Sequence, residues 1–256
     1  MSYISDTSPA QKISFVVGLI ALSLVARFVW AGGVEEYFNP AKQVENQIVE
    51  VLEERPGDLA LLRAMEDYFP LQYDELLEAM TYVAQRDASP DAVSQAGSAQ
   101  LAQFMASHRT DFALAPQQSL DAVLTAERKL LEALRTEEPV YCADYLFGTL
   151  IPTDPLSPES NQLMGEAAAA RVQAMAAGRA DQQLRMKATP RDIASLSDTM
   201  RAEGASDMQI AVLFENGDPA TLSSAEQCDS MLQMLRSMEK QPDARRALLT
   251  GSLLAW

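Results

Sequence analysis

The sequence predicts an all-α protein, with a single N-terminal transmembrane helix followed by an irregular multi-helix bundle of helical hairpins. Three observations predict it. An apolar run without a counterpart elsewhere spans Ile13 to Ala31. Behind it, apolar residues recur at three- and four-residue spacing between prolines and capping residues. No β-branched stretch alternates in the manner of a half-buried strand.

The run Ile13 to Ala31 holds nineteen residues, and at about 1.5 Å rise per residue a helix of that length matches a hydrocarbon core about 30 Å thick. Arg27 interrupts it, since a cation at the bilayer centre costs at least ~2.5–3.5 kcal/mol. Its place close to the C-terminal end lets the guanidinium snorkel to the headgroups, where Trp30 also keeps its indole N–H wet. Arg27 and Trp30 are therefore the expected membrane-interface residues. Residues 1–12 form a tail and 13–33 the membrane helix, a signal anchor.

A cleaved signal peptide is the rival reading, with Lys12 as the n-region, Ile13 to Ala26 as the h-region and Val29-Trp30-Ala31 as the cut. Asp6 offsets Lys12, and Arg27 lies between the apolar stretch and that cut. Flanking cations scarcely separate the two topologies, but anchor and signal peptide both export the body. The arginine-over-lysine, alanine-rich composition is that of a bacterium with GC-rich DNA. The expected location is the inner membrane, single-pass, with the body in the periplasm.

The body is long enough to bury a real core, and a hydrophobic fraction of 48% with 22% charged residues is that of a globular chain. Net charge is −16, from 20 Lys plus Arg against 36 Asp plus Glu. That balance excludes nucleic acid as an expected partner, because phosphate binding needs clustered cations. It also repels anionic lipid, so membrane attachment runs through residues 13–31 alone.

Asn39 caps and Pro40 opens the first helix of the body, which carries Val44, Ile48, Val51 and Leu52 until Arg55-Pro56-Gly57 stops it. Leu59, Leu62, Met65 and Phe69 give a second, closed by Pro70. Tyr73, Leu76, Leu77, Met80 and Val83 give a third. Ser89-Pro90-Asp91 starts a fourth, toward His108. Leu120, Val123, Leu124, Leu131 and Leu134 mark a fifth, with acids and bases on its other face.

Gly148 to Ser160 holds Pro152, Pro155 and Pro158, and no helix survives that spacing. It is the best internal boundary, dividing a half at 34–150 from a half at 151–256 packed on it. Ser157-Pro158-Glu159 then opens an Ala-rich helix toward Met186, and Thr189-Pro190-Arg191-Asp192 opens another that ends at Glu203-Gly204. Met208 to Phe214 is short and apolar. Ser223-Ser224-Ala225-Glu226-Gln227 satisfies the capping-box pattern twice, and Pro242-Asp243 begins a final helix toward Trp256. The body should hold roughly eight to ten helices.

Cys142 and Cys228 are the two cysteines. In an exported chain an even count implies one structural disulfide, which would fasten the two halves together. By the chain-entropy model such a loop closure contributes on the order of 4 kcal/mol. Two buried free thiols are the alternative.

The single histidine, His108, excludes a multi-histidine metal site, and its surroundings read as a frayed helix end. No nucleophile elbow, phosphate loop or dinucleotide fingerprint occurs. Acids cluster at Glu53-Glu54, Glu66-Asp67, Asp74-Glu75-Glu78 and Glu137-Glu138, where a solvated helix face is the ordinary explanation. Met164, Met175 and Met186 recur every eleven residues, one stripe of a continuous helix suited to core packing. No catalytic residue, metal ligand, cofactor or small-molecule substrate is assigned. The expected function is that of a membrane-anchored, non-catalytic helical protein that binds or scaffolds another protein on the exported side. The alternatives are an accessory subunit of a larger membrane complex and a periplasmic carboxylate-dependent hydrolase.

Overall fold

Seven of the twelve α-helices among the described residues open on a proline. Proline's fixed φ suits the first turn, and its missing N–H is one that a helix start leaves unpaired in any case. A computed structural model describes residues 40–53, 56–86, 89–147 and 156–255. The apolar run with Arg27 and Trp30, the boundary prolines Pro152 and Pro155, and Trp256 lie outside the described residues. Within them no helix is long and apolar enough to cross a membrane, and there is no strand.

The helices are α1 (Pro40–Glu53), α2 (Pro56–Tyr68), α3 (Pro70–Ala84), α4 (Pro90–Ser107), α5 (Arg109–Ala113), α6 (Gln117–Glu137), α7 (Pro139–Phe147), α8 (Pro158–Ala180), α9 (Pro190–Ala202), α10 (Asp207–Phe214), α11 (Ser224–Glu239) and α12 (Asp243–Leu253). Side chains close their starts as the sequence implies. Ser89 accepts from the Ala92 amide and Ser157 from the Ser160 amide, while Thr189 with Asp192 and Ser223 with Glu226 form capping boxes. Gly204, with φ 101°, follows the end of α9 in a conformation that a side chain would strain.

α6 and α8 form the centre. From α6, Leu120, Val123, Leu124, Leu130, Leu131 and Leu134 are buried, and α8 meets them with Met164, Ala167, Val172 and Met175. α2 crosses α8 where Gly57 faces Gly165, and a methyl group on Gly165 would overlap the Gly57 carbonyl. Small residues at the crossing let the two backbones touch. α1, α3 and α4 then pack outward from α2, with Phe69 edge-on to Phe104 at 4.9 Å between ring centres.

Four details depart from expectation. α5 and α7 are additional helices, both short enough that periodicity barely registers in them. His108 is no frayed end: it turns the corner between α4 and α5, its ring lies 4.7 Å from Phe69 and 4.8 Å from Phe104, and Nδ1 sits 2.8 Å from Asp111. α8 stops at Ala180, because the amide of Gln183 donates to the Leu114 carbonyl at 2.8 Å and leads the chain away as a strap. Met186 consequently leaves the stripe of Met164 and Met175 and is 77% exposed.

Candidate functional site

The acids named from the sequence do not converge. Glu66, Asp67, Asp74, Glu75, Glu78 and Glu138 are exposed, Glu75 and Glu78 along a groove between α3 and α4. Glu137 instead serves the start of α8: its carboxylate accepts from the Ser157 amide at 2.7 Å and from the hydroxyls of Ser157 and Ser160. An anion there also meets the positive end of the helix dipole.

Beside it lies an open hollow of about 560 Å³ between α6 and the first turn of α8, lined by Lys129, Glu132, Glu137, Ser157, Glu159 and Ser160. A carboxyl acting as general acid needs a raised pKa. Burial pushes Glu132 upward, but hydrogen bonds from Arg236 and Arg128 outweigh it and hold the carboxyl below its ordinary value. Glu132 therefore keeps a tied-down negative charge and has no proton to give at neutral pH. Among the described residues no group of His, Cys, Asp and Glu is arranged to hold a metal ion.

The charge cluster that matters most went unnoticed in the sequence. Glu127 lies on the buried face of α6, with its side chain 4% exposed, and accepts from Arg171 Nε of α8 at 2.6 Å and from the Tyr145 hydroxyl of α7 at 3.1 Å. Arg171 also donates to the Leu254 carbonyl at 2.8 Å, tying down the chain's end. Leu254 is buried, as docking of the C-terminal segment requires, and Arg109 donates to the Ala255 carbonyl. Burial works against the Arg171 charge, yet the Glu127 carboxylate overrides it and holds the guanidinium above its ordinary pKa. Burial drives the Tyr145 phenol well upward, and the Glu127 charge adds to that. The cluster is a polar knot whose carboxylate, guanidinium and phenol are hydrogen-bonded to one another, with only the Arg171 side chain reaching toward water.

One helical turn from Tyr145, the Cys142 sulfur stands at disulfide distance from that of Cys228 on α11, with Cα atoms 5.6 Å apart and both residues fully buried. The pair and the ion cluster together clamp α6, α7, α8 and α11. The signal for Glu127 was present in principle: an acid three residues from both Leu124 and Leu130 falls on the apolar stripe, not opposite it.

The surface offers grip instead of chemistry. A groove of about 520 Å³ runs between α3 and α4 over Ala79, Val83, Ala96 and Ala99, with Glu75 and Glu78 beside it. Leu71 and Tyr82, 70% and 52% exposed, continue that face of α3 at helical spacing with the two acids. A second apolar exposure lies on the strap after α8, where Leu184 is 88% exposed.

These features define an all-α bundle cross-linked at its centre by a buried ion pair and a cysteine pair. No family model, curated protein or solved structure matches the chain.

Proposed function

We propose that this chain is a membrane-anchored, non-catalytic helical protein that binds or scaffolds another protein on the exported side of the inner membrane. The observation that carries the reading is the outward face of α3 with its groove toward α4, where Tyr82 stands in water beside an apolar floor and Leu71 is exposed further along the same face. Exposed aromatic and aliphatic side chains around a groove are what a partner buries. The anchor rests on the apolar run Ile13 to Ala31, and the cysteine pair lends modest support to an oxidising compartment. The hydrolase alternative draws no general acid from Glu132, whose carboxyl, lining the hollow beside α8, is held, against the effect of burial, below its ordinary pKa by hydrogen bonds from Arg236 and Arg128.

The full chain, purified from membranes in mild detergent, should retain a stoichiometric protein partner that the doubly substituted Leu71→Glu, Tyr82→Glu chain loses. If the substituted chain keeps the same company, the groove is not the binding surface. Export is checked by alkylation in intact cells: without reductant, Cys142 and Cys228 should stay unlabelled even after denaturation, and ready labelling would count against the periplasmic body.

A further inference from the structure

We propose that the groove between α3 and α4 receives the strap, residues 181–189, of a second copy of this chain. The inference rests on reading the groove as a protein-binding surface and names its occupant.

Between the end of α8 and the Thr189 cap of α9 the chain forms neither helix nor strand, yet it is fastened. The Gln183 amide donates to the Leu114 carbonyl at 2.8 Å, the Arg185 guanidinium to the Ala115 carbonyl at 2.5 Å, and the Ala188 amide to the Ser252 hydroxyl at 2.9 Å. Between these ties Leu184 and Met186 project outward, 88% and 77% exposed, the two most exposed large apolar side chains among the described residues. Two apolar prongs on a segment already held in place lose little further freedom on docking. Left in water, they are an unburied cost.

Charge selects the partner. Arg179 and Lys187, at the strap and the helix end before it, are exposed and make no ion pair among the described residues, in a chain of net charge −16. The groove has the opposite character: Glu75 and Glu78 stand beside its apolar floor, and Arg86 is laid over the Tyr82 ring at 3.7 Å. The strap sets one acid, Asp181, against Arg185 and Lys187, with Arg179 just before it, and this basic surplus beside apolar prongs matches an acidic rim around an apolar floor.

Strap on strap would bring the cations of both copies together, and groove on groove would do the same with the acids. Both symmetric pairings are disfavoured, which leaves strap into groove, a head-to-tail contact that forms rings or chains of copies.

The test uses the full chain in its membranes. Two differently tagged copies are co-expressed, one carrying Leu184→Cys and the other Ala99→Cys, since both native cysteines are paired and buried. Mild oxidation should give a species carrying both tags, at least tenfold above a control pair in which the exposed Ala244→Cys replaces Ala99→Cys. Adding Met186→Asp and Lys187→Glu to the strap copy should return the yield to control. A yield no better than control overturns the proposal, as does a product linking only Leu184→Cys to itself. If that cross-link is absent and the Met186→Asp, Lys187→Glu chain loses binding to phosphatidylglycerol vesicles, the strap is a lipid contact and the proposal fails. A photo-reactive residue at position 99 separates the two levels of inference. Capture of a different polypeptide without the strap overturns the second-copy assignment and leaves the groove a binding surface, whereas no product at all overturns both.

Discussion

The stretch from α6 to α12 and the group α1 to α4 are both helical and apolar inside, and the first carries a network of ion pairs between its helices. In the first, side-chain charges link one helix to the next. Arg128 of α6 meets Glu239 of α11 at 2.8 Å, Glu132 of α6 takes Arg236 of α11 at 2.9 Å, and Arg246 of α12 reaches Asp121 of α6 at 2.7 Å. Glu127 with Arg171 and the cysteine pair lie beneath this network. In the second group aromatic and apolar packing is prominent, with Phe69 against Phe104 and Met80 under Gly97, and the Gln100 amide donates to the Glu75 carboxylate at 3.3 Å between α4 and α3. Directional bonds fix a region in one arrangement, while area-driven packing tolerates a new neighbour. The apolar surface left outward on α3 belongs to the group that can accept one.

The contrast breaks most readily at Glu127. Glu127→Ala leaves Arg171 buried beside an unpaired Tyr145 hydroxyl, and removal of one member of a buried pair costs about 3–5 kcal/mol. Urea unfolding should register that loss in full. Replacing both charges, as Glu127→Leu with Arg171→Met, should restore much of it, because the cost lies in the orphaned charge. If the single and double replacements are equally damaging, packing and not charge holds this centre. Next in size is the cysteine pair: Cys142→Ala with Cys228→Ala should cost about 2–5 kcal/mol, read from the same unfolding curves without reductant for either chain. An unchanged midpoint would mean that the bridge adds nothing to what the ion pair already fixes.

Much of this plan is legible in the order of the amino acids, and the illegible remainder is mostly tertiary. Prolines and capping residues place the starts of α1, α4, α8, α9 and α11 correctly, since those signals act within one turn. The cysteine pairing is legible because two cysteines allow one partner each. Glu127 is visible as an acid within an apolar stripe, but its arginine lies 44 residues away, and no local pattern links them. The strap is hidden by the eleven-residue methionine spacing, which implies a continuing helix where a bond from Gln183 to Leu114 ends it. By its spacing Gln227 reads as half of a second capping box. Its amide instead donates to the carbonyls of Pro219 and Leu222, which only the folded loop brings within reach. The groove has no sequence signature, because apolar residues on α3 read alike whether they face the core or water.

Tyr145 sharpens the comparison at a smaller scale. Its phenol is raised well above the ordinary value by burial and then by the Glu127 charge, whereas in the unfolded chain tyrosine titrates near pH ~10. Between those two values the unfolded state binds fewer protons than the folded one, so stability is fully present below pH ~10 and falls as pH rises beyond it. Wild type should therefore lose more stability between about pH 9 and pH 11 than Tyr145→Phe, measured as the shift in urea midpoint. Equal shifts would mean that Tyr145 ionises freely and that the knot is open to water.

The smallest effect is expected at Leu71 of α3, and comparison with Leu76, five residues further on, tests whether the outer face of that helix is free. Leu76 is 4% exposed and Leu71 70% exposed. Leu76→Ala removes buried methyl groups and should cost about 2–5 kcal/mol, while Leu71→Ser changes a side chain already in water and should stay within about 0.5 kcal/mol. Thermal unfolding of the full chain in a harsher detergent that strips its partners measures both. The difference between the two positions is the quantity of interest, because the shared helix cancels detergent effects and the helix-propensity gap between Ser and Ala is only about 0.5 kcal/mol. Should Leu71→Ser prove as costly as Leu76→Ala, the outer face of α3 is already covered by something that this detergent does not strip, and its stability would then depend on protein concentration if the cover is a second copy.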